Sequence, residues 1–178
     1  MRETVLLAVA YLSVGSVMAL GQTKRSLPSE QTHFSAEDEA VKRPTAIPAD
    51  VMAQLTQDSY VRQAMENGDP PLKQPPASWF SASVVHLGGA DEKDLVVMAE
   101  GELRGANVVN YWVFRLLPGG AQLVLNGPAH DLMVLKSRWN GLCKIELESA
   151  TAIKLHTVIL RFDGNRYAIF SDKWEDIK

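Results

Sequence analysis

The stretch "NVVNYWVFRLL", Asn107 to Leu117, decides the fold. In an extended strand successive side chains point to opposite faces. Val109, Tyr111, Val113 and Arg115 then share one face, while Val108, Asn110, Trp112, Phe114 and Leu116 share the other. Both faces are substantially apolar. That pattern fits a central strand covered on each side, by the sheet's partner layer on one and by N-terminal helices on the other.

On both sides of this stretch, from Trp79 onward, the hydrophobic period is two and Val, Ile, Phe, Tyr and Trp are frequent. Strands are predicted at 79–87, 94–99, 108–116, 121–125, 132–135, 142–148, 152–162 and 167–170. Pro118-Gly119-Gly120, Asn140-Gly141 and Asp163-Gly164-Asn165 suit hairpin closures, because Gly and Asn accept the positive φ of tight turns. "NGPAHD", 126–131, reads as another turn. The short connections favour antiparallel pairing over a βαβ layout.

Toward the N-terminus the punctuation changes. "GDPPLKQPPAS", 68–78, carries four prolines and reads as an extended connector over 69–78. Before it, in "PADVMAQLTQDSYVRQAMENG", 48–68, Val51 and Leu55 lie four apart, as do Val61 and Met65. Each pair shares a helical face, but the two pairs are off a common stripe, so a break near Gln57-Asp58-Ser59 is expected, with Asp58 capping the second helix. Residues 22–47 carry balanced charge and no sustained period, and are expected to be a flexible leader.

The chain opens "MRETVLLAVAYLSVGSVMALGQ". Arg2 supplies a basic start, Val5 to Leu20 are nearly all apolar or small, and small residues follow. The run is shorter than the roughly 20 residues of a spanning helix and predicts a signal peptide over 1–21, cut after Ala19 or Gly21. An exported location, periplasmic or extracellular, is the expectation, with membrane attachment only through an uncleaved signal. The β-rich domain then occupies 79–178. The fold class expected is α+β, with short N-terminal helices packed on a mainly antiparallel sheet of about seven or eight strands, a sandwich or a partly closed barrel.

Composition narrows the function. A net charge of −3 argues against a phosphate-backbone binder. Cys143 is the single cysteine, so no internal disulfide framework exists. Nucleophile-elbow, zinc-helix, phosphate-loop and Cys-x-x-Cys motifs are all missing, and no cofactor or catalytic residue is assigned. His130 with Asp131, and Cys143 with His156, are the pairs nearest to catalytic chemistry. Strand alternation puts Cys143 with Ile145 and Leu147 on an apolar face, where it reads as a small core residue. Trp139 differs, standing in "SRWNG" between Arg138 and Asn140, where a hairpin has no need of a large ring. Trp139, Arg138 and Asn140 are therefore the candidate contact residues, with Arg104 and Asn107 of "ELRGAN" proposed for the same surface.

Two segments resemble known patterns. "VVHLGGADEKDLVV", read on to Asn107, resembles the loop segment of FG-GAP/VCBS-type, integrin-alpha-like repeats, which carry D-x-N-x-D-G-x-x-D-L between two strands. Aligning Asp94-Leu95 with the closing D-L puts His86, Gly88 and Ala90 where that family has its first oxygen ligands, and Asp91 where it has Gly. The resemblance implies a calcium loop, but a calcium ion wants six to eight oxygens and one expected carboxylate is kept. The loop is accordingly read as a turn with no metal; any ion would fall to Asp91, Glu92 and Asp94. "HDLMVLKSRWNGLCKIELES" followed by "VILRFDGNRYAIF", within 130–170, resembles uncharacterised exported bacterial proteins, with Lys144 where those typically have Asp. That resemblance implies an envelope or extracellular setting and no activity. The expectation is an exported, non-enzymatic binding module that contacts a protein or envelope polymer, and not nucleic acid, through loops at one end of the sheet. A hydrolase with an unfamiliar site and a calcium-stabilised structural domain are the alternatives.

Overall fold

In the computed structural model, residues 30–177 are described; the predicted signal peptide and Gln22–Ser29 of the predicted leader lie outside them. Strand β1 (His33–Ser35) is followed by helices α1 (Ala49–Gln57) and α2 (Ser59–Asn67), then by strands β2 (Phe80–Val85), β3 (Asp94–Ala99), β4 (Val109–Leu117) and β5 (Gly120–Ala129). The chain continues through β6 (Asp131–Trp139), β7 (Leu142–Ala150), β8 (Lys154–Phe162) and β9 (Tyr167–Asp176). Two antiparallel sheets result, in the orders β2-β3-β4-β5 and β1-β6-β7-β8-β9. The sheets form a sandwich and not a closed barrel, because β5 and β6 meet at His130 without pairing with each other.

Strand β4 shows why there are three layers. Val109, Tyr111 and Val113 face the five-stranded sheet, where Leu132, Ile145, Leu160 and Phe162 complete one core. Trp112 and Phe114 face the other way, against Val51, Leu55, Val61 and Met65 of the helices. The two-faced reading of this strand is the one the structure has.

The helices break where expected. Asp58 Oδ1 accepts from Tyr60 N at 2.9 Å and Val61 N at 3.3 Å, capping α2. Its Oδ2 accepts from Trp112 Nε1 at 3.2 Å and Asn126 Nδ2 at 2.8 Å, so one carboxylate ties a helix start to two strands. The Pro-rich connector after α2 is almost wholly exposed.

Two expectations need correction. The leader is not free from Glu30 onward: Phe34 is 1% exposed, β1 pairs with β6, and Val41 is buried in the same core. Its few apolar residues suffice because distant groups hold its backbone. Tyr111 Oη donates to Phe34 O at 3.3 Å, and the Arg104 guanidinium donates to the carbonyls of Ala36 and Asp38. The turn read at "NGPAHD" is strand through Ala129. Pro128 is accepted there because β5 is an edge strand, whose open side needs no donor.

Candidate functional site: a cleft between two sheet edges

Strand β2 is the edge of its sheet, so alternate backbone groups point away from β3. Thr45 N donates to Ala82 O at 2.8 Å, and His86 N donates to Glu30 Oε1 at 2.5 Å. These contacts cover the edge on either side of Val84 and leave Val84 between them. In the facing sheet, β1 pairs with β6 over Asp131–Met133, and Val134 N still donates to Thr32 O at 2.8 Å. Beyond that, β6 has no strand on its outer side among the described residues. It also bows: Val134 pairs with Ile145 and Arg138 with Cys143, so β6 spends four steps where β7 spends two.

A cleft of about 810 Å³ lies between these edges, within the usual range of ligand sites. Its walls include Val84, Val134, Leu135 and Cys143. Arg43, Lys93, Lys136 and Arg138 also line it, against the single carboxylate of Glu30, which is spoken for by His86 (Nδ1 to Oε2, 3.3 Å). Among the described residues none of the four cations forms an ion pair. Ser83 lines the cleft too; the residue is 1% exposed and its Oγ has no hydrogen-bond partner. A buried hydroxyl left unpaired costs on the order of 1–3 kcal/mol, so it marks a place where a partner group belongs.

The sequence candidates divide. Arg138 reaches the cleft and donates through Nη1 to Gly88 O at 2.7 Å, pinning the 86–93 loop to β6. Trp139 is 47% exposed, with the Arg161 guanidinium 4.5 Å from its ring centroid. Asn140 takes φ 47° in the hairpin turn and donates from Nδ2 to Phe162 O at 3.0 Å, which makes it a turn residue. Arg104 and Asn107 do not join them. Arg104 pairs with Glu100 at 2.9 Å beside the Phe80–Ala99 end of β2 and β3, whereas Gly88 follows the opposite end. Its guanidinium is occupied by the 36–39 carbonyls, and Asn107 is exposed in the loop before β4.

The acidic loop is a clasp. Asp94 is 1% exposed and accepts from Leu87 N at 3.0 Å, closing the turn between β2 and β3. Burial pushes its carboxyl above the ordinary range, opposed by that hydrogen bond and by Arg115. Arg115 Nη2 donates to Glu92 Oε2 at 2.7 Å, and Asp91 is exposed. Among the described residues no group of three or more His, Cys, Asp or Glu is placed to hold a metal ion.

His130 and Asp131 do meet, with Nδ1 to Oδ2 at 2.8 Å, and His33 Nε2 lies 3.0 Å from Oδ1. Burial alone would raise the Asp131 carboxyl; hydrogen bonds from Ser35, His130 and His33 outweigh it and hold the group below its ordinary value. Both imidazoles and the hydroxyl thus converge on one carboxylate, which ties β1 to β6. Cys143 is buried in the inter-sheet core. His156 sits opposite Ser149, six residues along β7 and so roughly 20 Å away, bonded to Asp172 at 2.8 Å and stacked on Trp174. The two do not form a pair.

Ser83, Lys93 and Arg43 escape a sequence reading, since nothing local marks them. Lys136-x-Arg138 is the one local signal, two cations close together in one strand. No family model, curated protein or solved structure matches the chain, so its chemistry is read from its own residues.

Proposed function

We propose that this protein is an exported, non-enzymatic binding module that takes an anionic group of a protein or envelope polymer into the cleft between β2 and β6. The observation that carries the reading is the juxtaposition, among the described residues, of four cations without an ion pair at the rim and a buried hydroxyl without a hydrogen-bond partner within. Such a site fits polar atoms bearing negative charge, and its apolar walls strengthen the interaction by excluding water. The 86–93 loop and the β6–β7 hairpin, joined by Arg138, frame one end of it. Export rests on the N-terminal apolar run; among the described residues no helix is long and apolar enough to cross a membrane.

The test is thermal unfolding in the presence of citrate, inorganic polyphosphate and poly-glutamate, with poly-lysine as control. A ligand for the native state raises the midpoint by mass action, and a charge-driven rise shrinks in salt. The expected result is a salt-sensitive rise with at least one polyanion, abolished in a Lys93→Glu/Lys136→Glu variant. A midpoint unmoved by every anion would overturn the reading.

A further inference from the structure

We propose that the natural occupant of the cleft is an extended acidic peptide segment, which adds as a strand along the free edge of β2 at Val84 and sets its carboxylates against Arg43, Lys93, Lys136 and Arg138. This rests on the anion-binding reading and names its ligand class.

Three observations separate a peptide from other anions. First, the cleft is bounded by strand edges on both sides, and on the β2 side the N–H and C=O of Val84 are the groups open to a peptide backbone. The chain itself already uses this edge: Thr45 N bonds Ala82 O, and the Glu30 carboxylate takes His86 N, leaving the Val84 groups between them without a strand among the described residues. Second, Ser83 Oγ is buried and unpaired at the same level of the edge. A peptide carbonyl or carboxylate satisfies it, whereas an acyl chain with an anionic head would leave both the hydroxyl and the Val84 amide dry. Third, Lys136 and Arg138 both line the cleft from the bowed stretch of β6, two residues apart in the chain, so an extended acidic segment meets more than one cation.

The chain's own preceding residues do not suit the site. Gln22–Ser29 carry Lys24 and Arg25 and no carboxylate, so their charge opposes the cationic rim.

The experiment uses a labelled peptide of alternating Glu and Val, of about eight residues, a usual strand length. Its controls are the same peptide with alternate backbone amides N-methylated, a Lys-Val peptide, polyphosphate and anionic phospholipid vesicles. Binding is followed by anisotropy, and hydrogen exchange is measured at the Val84 amide. The acidic peptide should bind and slow exchange at Val84, while N-methylation and Ser83→Ala each weaken it by about tenfold. Ser83→Ala should at the same time keep or raise the thermal midpoint, so weaker binding cannot be assigned to unfolding. Equal binding of the N-methylated peptide overturns strand addition while leaving an anion site in place. Binding of polyphosphate or vesicles without the peptide overturns the ligand class. Failure of every anion overturns both this proposal and the reading beneath it.

Discussion

Asp94 and Asp131 are both partly or wholly withdrawn from water, yet their environments push them in opposite directions. For Asp94 burial outweighs the backbone donors Leu87 and Leu116 and a guanidinium 3.8 Å away. Asp131 has three side-chain donors, and hydrogen bonding wins. The consequences for stability against pH differ in sign. With its folded value above the ordinary 3.8, Asp94 contributes stability fully below that value and loses it as pH rises through the raised one. Asp131 contributes above 3.8 and loses its contribution as pH falls through the lowered one. Urea unfolding followed across the acid range should therefore show Asp131→Asn flattening the acid loss of stability, and Asp94→Asn flattening the opposite slope. Asp94→Ala should be worse than Asp94→Asn by about 1–3 kcal/mol, because it strands the buried Leu87 N–H. A steeper acid limb in Asp131→Asn would refute the role given to its donors. At this scale the sequence shows what acts locally. The Asp58 cap was legible because its bonds reach two and three residues, whereas Ser83 and Arg104 owe their character to groups far along the chain.

Among elements, all eight strands of 79–178 were located from apolar alternation, but β6 and β9 only over 132–135 and 167–170, because their remaining residues are mostly polar and exposed. Strand β1 was not, because its three residues hold a single large apolar group and its stability comes from Tyr111, Leu132 and Arg104. Phe34→Ala should accordingly cost about 3–5 kcal/mol in denaturant unfolding, as a buried ring and not as part of a loose tail. A loss under about 1 kcal/mol would return that segment to the status of a tether. Trp139 provides the contrast. At 47% exposure its removal leaves little void, and Trp139→Ala should shift stability by less than about 1 kcal/mol. Strand ends were the least legible part, as in β5, where Pro128 signals a turn to any local reading and only the edge position allows it in a strand.

For the whole molecule, the layer arrangement was legible from one strand, while the cleft was not legible at all. Its walls come from β2 and β6, which lie in different sheets, and its rim from loops before and between them. Local periodicity carries no record of which edges face each other. The acidic loop makes the complementary point, being conspicuous in sequence and engaged with Arg115 and Leu87 in the fold. Chelator should therefore leave the thermal midpoint unchanged; a fall on chelation, restored by calcium, would reinstate a metal there.

The pairing of β1 with β6 also sets an order of events. His33 and Asp131 are 98 residues apart in the chain, so the first strand to be synthesised is bound by one of the later ones. Closing so long a loop is slow compared with forming the neighbouring hairpins β6–β7 and β8–β9. The segment from Glu30 to Val41 should therefore dock after those hairpins and complete the wall of the cleft as it does so, which pulsed hydrogen exchange during refolding checks through later protection of β1 than of β6–β9. Until that moment the chain exposes Phe34 and an open β6 edge together, which makes this interval the one in which a protease or a second chain has access to them.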